Sequence, residues 1–177
     1  IEQTTSSVFP QLFLMKIMEL TENQKAEITN NIKAGISRLV GFQLADGGMS
    51  YWPEYYSEVC EWGTNYAGHF LMEAERQGYS IPSGFKDKWV SYQKKAANGW
   101  RNQDWKDHST QREEQITQAY RLYTLALSGN AELGAMNRLK EVKDLTLETK
   151  WRLAAAYFLA GKDKTARTLA EGLTVDV

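Results

Sequence analysis

The side chains best suited to nucleophilic or metal chemistry are few and lie far apart in the sequence. There is one cysteine, Cys60, and there are two histidines, His69 and His108. Zinc sites use cysteine and histidine ligands in closely spaced pairs, and these three residues form no such pattern. We therefore expect no metal centre and no cofactor. We expect Cys60 to be a small, at least half-buried side chain and His69 to be a packed, hydrogen-bonded helical residue.

Carboxylates beside aromatic residues indicate a second kind of chemistry. Glu54 and Glu58 accompany Trp52, Tyr55 and Tyr56. Paired carboxylates in an aromatic cleft are typical of glycosidases, in which one acts as the acid and the other as the base or nucleophile. An enzyme that acts on carbohydrate is therefore one alternative for the function.

Composition and charge argue against two classes of partner. The chain has 21 basic and 22 acidic residues and a formal net charge of -1. A nucleic-acid-binding surface needs a clustered basic excess, so we expect no nucleic-acid partner. No run approaches the roughly 20 apolar residues of a membrane-spanning helix, so we expect no membrane span either.

Helices must position these residues, because apolar side chains recur at helical spacing along most of the chain. We predict about eight helices, over residues 4–20, 21–40, 65–77, 83–98, 116–127, 131–142, 147–159 and 164–170. Thr21 and Gln24 have the spacing of a capping box at the start of the second helix. The first helix is predicted to be buried all round and to begin near Ser6 or Ser7, with Pro10 in its first turn. Residues 100–110 are predicted to form a loop.

The last third of the chain contains two similar helical hairpins. They turn at Leu127-Ser128-Gly129 and at Leu159-Ala160-Gly161. Helix–glycine–helix units in series are typical of helical repeats and of closed α/α toroids. The irregular aromatic stretches of the first hundred residues favour the toroid. We predict an all-α, terpenoid cyclase-like α/α toroid of helical hairpins, incomplete within this chain, forming a single domain over residues 1–177.

Two blocks of sequence resemble the thioester domain of the bacterial α2-macroglobulin family, and they occur in the family's order. The first block covers residues 42–53 and contains Gln43, Asp46, Gly47, Gly48 and Trp52. The second block covers residues 62–74 and begins with Trp62-Gly63-Thr64-Asn65.

The first three residues, Ile1-Glu2-Gln3, resemble the last three positions of the family's Cys-x-Glu-Gln thioester motif. The resemblance implies a cysteine directly before Ile1, with Gln3 as the acyl donor and Glu2 as part of the motif. In this chemistry the cysteine thiolate attacks the glutamine side-chain amide and displaces ammonia, helped by the short spacing between the two groups. Because a thiolate leaves easily, an amine or hydroxyl of a target can then take the acyl group.

A histidine has a further role in the complement members of this family, where it lies on a loop downstream and redirects the acyl group to hydroxyls. His108 falls in the predicted loop at residues 100–110. The resemblance therefore makes His108 a candidate acyl-transfer residue.

The block from Gln43 to Trp52 also resembles the QW motif of terpene cyclases, which share the toroid. We expect a structural role for it. Gly47 and Gly48 would form a turn with positive φ, Gln43 would bond the end of the next helix, and Trp52 would pack beside that helix. The sequence has no Asp-x-Asp-Asp or Asp-Asp-x-x-Asp motif of the kind terpene cyclases use.

The family resemblance implies the thioester-domain portion of a protease inhibitor, not an enzyme. In the whole protein it would trap target proteases covalently and act with other domains of the same chain, in the periplasm or cell envelope. The chain itself would begin just after the thioester cysteine. Two alternatives stay open: a toroidal enzyme acting on carbohydrate or isoprenoid substrates, and a helical-repeat module that binds without covalent chemistry.

Overall fold

The computed structural model describes residues 1–53, 58–103 and 108–173. These residues form nine α-helices: α1 Glu2–Val8, α2 Gln11–Ile17, α3 Glu22–Val40, α4 Glu61–Arg76, α5 Phe85–Gly99, α6 His108–Leu127, α7 Leu133–Lys140, α8 Leu147–Leu159 and α9 Asp163–Ala170. They contain no β-strand, only isolated antiparallel bridges from Gln43 to Met49 and from Ser50 to Val59. The prediction of an all-α fold is confirmed, and the helix arrangement is consistent with a toroid-like fold. None of the described helices is long and apolar enough to cross a membrane.

The chain divides into two compact units, Ile1–Trp89 and Val90–Val177, and the boundary falls within α5. The assignment of residues 1–177 to a single toroidal domain stays a prediction.

In the first unit, Pro10 divides the first predicted helix into α1 and α2. Proline has no N–H to donate to the preceding turn. The junction instead uses three-residue hydrogen bonds, from Leu12 N to Phe9 O (3.2 Å) and from Phe13 N to Pro10 O (3.0 Å). The predicted start near Ser6 or Ser7 was wrong, because α1 begins at Glu2.

The expectation of a helix buried all round was also wrong for α2. Leu12 is its buried residue. Farther along, Met15, Ile17 and Met18 are exposed, and Ile17 retains 73% of its accessible surface. Burial among the described residues therefore does not account for the many apolar side chains of this segment.

The helices α3 and α4 supply the core of the first unit. The predicted capping box of α3 is confirmed, since the Thr21 and Gln24 side chains bond each other's backbone N–H groups. Glycine at position 68 lets α4 approach Trp89 closely, because a Cβ there would lie 2.4 Å from the indole ring. The Trp89 indole is fully buried and donates to Thr64 O at 3.0 Å.

The second unit contains the two predicted hairpins. The first turns at Gly129 (φ 79°) and the second at Gly161 (φ 68°). After each glycine, a main-chain N–H bonds back five residues, from Asn130 to Leu125 O (2.8 Å) and from Lys162 to Tyr157 O (2.9 Å). This is the Schellman ending that a glycine in the left-handed region permits.

The core of the second unit lies where α6, α7 and α8 meet. Its fully buried members include Leu122, Met136, Leu139 and Leu153. The predicted loop at residues 100–110 was too long, because α6 begins at His108 rather than near residue 116. The polar residues from Ser109 to Gln115 hid this first part of the helix, whose apolar periodicity starts only later.

Candidate functional site

The residue before Glu2 and Gln3, Ile1, is held by main-chain hydrogen bonds on both sides. Its α-nitrogen donates to Tyr51 O at 2.9 Å. Its carbonyl accepts from the Thr5 backbone N–H and from the Thr5 hydroxyl, both at 3.0 Å. Thr5 is completely buried. The first turn of α1 is therefore fixed against the chain at Tyr51.

The Ile1 side chain lies in a notch at the start of α4, which we call the Ile1 notch and define by Ile1, Cys60 and Gly63. Ile1 is only 6% exposed. A Cβ on Gly63 would lie 2.8 Å from Ile1 Cγ2 and 3.0 Å from Cys60 Sγ. Cys60 is half-buried, as expected, and it also caps α4, since its Sγ accepts from Gly63 N at 3.3 Å. The sequence had not indicated this capping role.

Next to the notch, the two sequence blocks meet at Thr64. The Thr64 hydroxyl donates to Cys60 O (2.8 Å) and accepts from Met49 N (3.0 Å). Cys60 N in turn donates to Met49 O at 2.8 Å. The Ser50–Val59 bridge continues this pairing to the residue next to Tyr51. The start of α4 and the carbonyl that holds Ile1 therefore belong to one hydrogen-bonded network.

The turn before this network is made by the predicted glycine segment. Gly47 has φ 98°, and the Asp46 carboxylate accepts from Gly48 N at 3.0 Å. Gly48 is not in the positive-φ region, contrary to expectation. Gln43 Nε2 donates to Phe85 O at 3.0 Å, so it bonds the first residue of α5 rather than the end of α4.

The two tryptophans of the blocks are surface residues. Trp52 is 53% exposed and Trp62 is 41% exposed. The expected packing of Trp52 beside a helix was wrong, and its ring instead meets that of Tyr51 edge-on, with 5.3 Å between centroids. The extended pairing stops at Ser50, whose hydroxyl donates to Trp52 O (2.9 Å), and the chain bends there.

Glu2 and Gln3 lie in the first turn of α1 with exposed side chains. The Tyr51 hydroxyl donates to Glu2 Oε2 over a long 3.4 Å. The negative charge of Glu2 is the main cause that raises the pKa of Tyr51. Gln3 lines a shallow cavity of about 450 Å³ between α1 and α3, together with Gln11 and Arg38.

The far end of α1 is packed as firmly as its start. A Cβ on Gly35 of α3 would lie 2.8 Å from Val8 Cγ1, so the two helices touch at this glycine. Phe9 packs against rings of α4, including Phe70 (5.7 Å between centroids) and His69 (4.8 Å, edge-on). His69 is thus a half-buried packing residue.

The other predicted chemical residues lie elsewhere. His108 is the exposed first residue of α6, in the second unit, and not in a loop. Glu58 is exposed, and Glu54, Tyr55 and Tyr56 lie outside the described residues. Over residues 1–53, 58–103 and 108–173, no group of three or more His, Cys, Asp or Glu side chains could hold a metal ion.

Three residues of the site were not predicted from the sequence. Thr5 and Tyr51 act through hydrogen bonds to Ile1, and Gly63 acts by lacking a side chain. Gly63 sits inside the Trp62 block, and a glycine in the first turn of a helix is a signal of close approach. The backbone carbonyl of Tyr51 leaves no such signal in the letters.

The described residues form an all-α fold rich in helical hairpins, which is consistent with the class of α/α-toroid-like proteins. No protein-family model matches it. A stretch of 87 residues, 47% of the chain, is 32% identical to the α2-macroglobulin of Escherichia coli strain K12. The chain spans only 5% of the length of that relative.

Solved structures agree with this relationship. Salmonella α2-macroglobulin reacted with methylamine is 25% identical with a TM-score of 0.75, covering 95% of this chain and 11% of that one. Escherichia coli α2-macroglobulin activated by porcine elastase is 23% identical with a TM-score of 0.78, covering 99% of this chain and 16% of that one. The chain is therefore similar to bacterial α2-macroglobulins, in sequence over those 87 residues and in fold over nearly its whole length.

Proposed function

We propose that this chain is the thioester-domain portion of a covalent protease trap and not a catalyst. In this proposal the side chain of Gln3 supplies the acyl group of an internal thioester, and a cysteine directly before Ile1 supplies the sulfur. The observation that carries the proposal is the anchoring of Ile1, with the exposed Gln3 two residues along in the same helical turn.

The bond-forming step needs only these two side chains. The cysteine thiolate attacks the Gln3 amide carbon, the C–N bond breaks, and the nitrogen leaves as ammonia with the proton of the thiol. A residue directly before Ile1 is three positions from Gln3, a spacing that brings two side chains together across one helical turn. Glu2 is the motif residue directly before Gln3, and its side chain is exposed.

The relatives support a reactive acyl group. The Salmonella protein has been solved after reaction with methylamine, and the Escherichia coli protein after activation by elastase. Methylamine is a small primary amine, the kind of nucleophile that an activated acyl group accepts. In the whole protein, cleavage by a target protease would expose the thioester, and a lysine amine of that protease would displace the thiolate.

The setting and the partners follow from the same proposal. The partners are target proteases, held covalently, and further domains of the same protein. The location is the periplasm or the cell envelope. His108 remains the candidate for passing the acyl group on to hydroxyls, which a His108→Ala variant tests by the ratio of amine to hydroxyl products.

Mass spectrometry of the intact full-length protein tests the central step. We expect the native protein to be lighter than its sequence mass by about 17 Da, the mass of ammonia. Methylamine treatment should modify Gln3 and release one thiol. The Gln3→Glu variant should show neither effect, because a carboxylate has no amide nitrogen to lose.

The matched control is Gln11→Glu, which changes another glutamine of the same cavity. It should leave both the mass deficit and the methylamine reaction intact. An unmodified amide at Gln3 in the native protein, next to a free thiol, would refute the proposal.

A further inference from the structure

Three sets of contacts hold Ile1, the residue that separates the two reacting groups of the proposed thioester. The side chain of Ile1 fills the space left by the missing Cβ of Gly63. Its nitrogen is bonded to Tyr51 O, and its carbonyl is bonded twice to Thr5. Ile1 is therefore held through both its side chain and its main chain.

The space over Gly63 is too small for any side chain while Ile1 keeps its place. Contact between carbon atoms is most favourable at about 3.5–4.0 Å. An alanine Cβ at position 63 would lie 2.8 Å from Ile1 Cγ2 and 3.3 Å from its Cδ1. The remaining neighbour, Cys60 Sγ at 3.0 Å, is itself bonded to the backbone of Gly63. An added methyl group would push Ile1 outward.

We infer that Gly63 and Thr5 are positioning residues for thioester formation, acting through Ile1. This inference rests on the proposed function. Neither residue touches the reacting atoms. Ring closure between groups on either side of Ile1 depends on the fixed course of the chain through Ile1, because an intramolecular reaction loses about 100-fold in rate when the groups are misplaced by about 1 Å.

The Gly63→Ala variant of the full-length protein tests the inference. We expect the fraction of molecules with the ammonia mass deficit, and the rate of methylamine uptake at Gln3, to fall about 10- to 100-fold. Both are measured by intact-mass and peptide mass spectrometry. The thermal unfolding midpoint is recorded in parallel.

Gly35→Ala is the matched control. It places a methyl group 2.8 Å from Val8, at the other end of the same helix. We expect a similar fall in the unfolding midpoint but a thioester content close to that of the native protein. Equal thioester loss in the two variants would overturn the inference, since it would show a general effect of disturbing α1.

A double variant tests whether Gly63 acts through Ile1. Once Ile1→Ala has removed the side chain from the notch, adding Gly63→Ala should cause little further loss of thioester. Fully additive losses would overturn the inference. If Gly63→Ala does not fold, Thr5→Val serves instead, because it removes the hydroxyl bond to Ile1 O and keeps the shape of the side chain. Native-like thioester content in a folded Thr5→Val protein would then count against the inference.

The two levels of the proposal fail differently. If the native protein itself has no mass deficit and no methylamine uptake, the proposed function is wrong. If the native protein has both and folded Gly63→Ala matches it, the thioester stands and the positioning role is wrong.

Discussion

The hairpins of the second unit and the segment between α3 and α4 of the first unit reverse the chain by different means. Each hairpin turns at one glycine and closes with main-chain bonds among neighbouring residues, as at Gly129. In the first unit, residues 41–53 are instead tied to distant positions, since Met49 N donates to the Thr64 hydroxyl and Gln43 Nε2 donates to Phe85 O. The hairpin turns thus depend on neighbouring residues, whereas residues 41–53 depend on distant residues of their unit.

The two kinds of turn differ in how exactly their atoms must be placed. A hairpin turn can vary in conformation as long as the helices on either side of it still pack together. The carbonyl of Tyr51 must stay at one place for Ile1 to bond it, and long-range bonds through Met49 and Thr64 supply that constraint. In this chain the irregular segment contacts the proposed reactive turn.

The largest expected effect comes from removing the buried side chain that supports the contacts of residues 41–53. Replacing the fully buried Trp89 by alanine should cost about 3–5 kcal/mol of the free energy of unfolding, as for other buried aromatic residues. The indole packs on Gly68 and donates to Thr64 O. Its loss therefore also removes a hydrogen bond to Thr64, the residue that links the two sequence blocks. Urea unfolding measures the loss, and hydrogen exchange should show it at Ser50 and Cys60.

Trp89→Phe is the control for this change, because it keeps an aromatic ring and removes the N–H donor. It should lose less stability than Trp89→Ala. If the amides of Ser50 and Cys60 keep native protection in Trp89→Ala, this part of the first unit does not depend on distant packing as we describe.

A smaller effect is expected from breaking a hairpin turn. Gly129→Ala should cost about 1–2 kcal/mol, the cost of placing an L-residue in the left-handed region. Apart from the adjacent residues of the chain, no described atom lies within 4 Å of the added Cβ, so the cost is conformational. Chemical denaturation measures it.

Gly134→Ala, within α7, is the opposite case and the control. Gly134 does not have a positive φ, and the nearest side-chain atom to a Cβ added there is Arg138 Nη1, at 4.0 Å. Alanine there should stabilise the protein by about 0.5–1 kcal/mol, because glycine is unfavourable inside a helix. The same sign for both variants would contradict the local description of the hairpins.

The smallest effect is a pH dependence in the second hairpin. Burial, and to a lesser extent the charge of Glu141, raises the pKa of Tyr157 from 10.0 to about 12. The neutral phenol, which donates to Asn137 Oδ1 at 2.6 Å, is therefore favoured in the folded state. Its contribution to stability is complete below pH 10 and is lost as the pH rises towards 12.

Unfolding midpoints measured from pH 9 to 12 check this sign, with Tyr157→Phe as the reference. The difference between the native protein and the variant should shrink as the pH rises through this window. A difference that stays constant or grows would contradict it.

The sequence predicted what local rules determine. The capping box at Thr21 and the glycine turns of the second unit depend on neighbouring residues, and each was placed correctly. The helical periodicity located the later helices to within a few residues. The start of α6 was missed because its first residues are polar and its helical pattern becomes visible only after them.

The site was less predictable, for a physical reason. Gln3 and the two sequence blocks were identified by resemblance, and their roles in the chemistry stay predictions. The Ile1 notch depends on a missing methyl group at Gly63 and on a backbone carbonyl at Tyr51. The sequence shows that position 63 has no side chain, but it does not show which residue fills the space or in which direction a carbonyl points.

The break at Pro10 has a consequence for how the first unit can come apart. The exposed α2 is the part of this segment with least packing, and helices lose structure from their ends inward. Pro10 donates no hydrogen bond, so we expect fraying that starts at the exposed end of α2 to stop at this gap between the two helices. On this expectation α1, with Ile1 and Gln3, stays folded when α2 loses its helical structure.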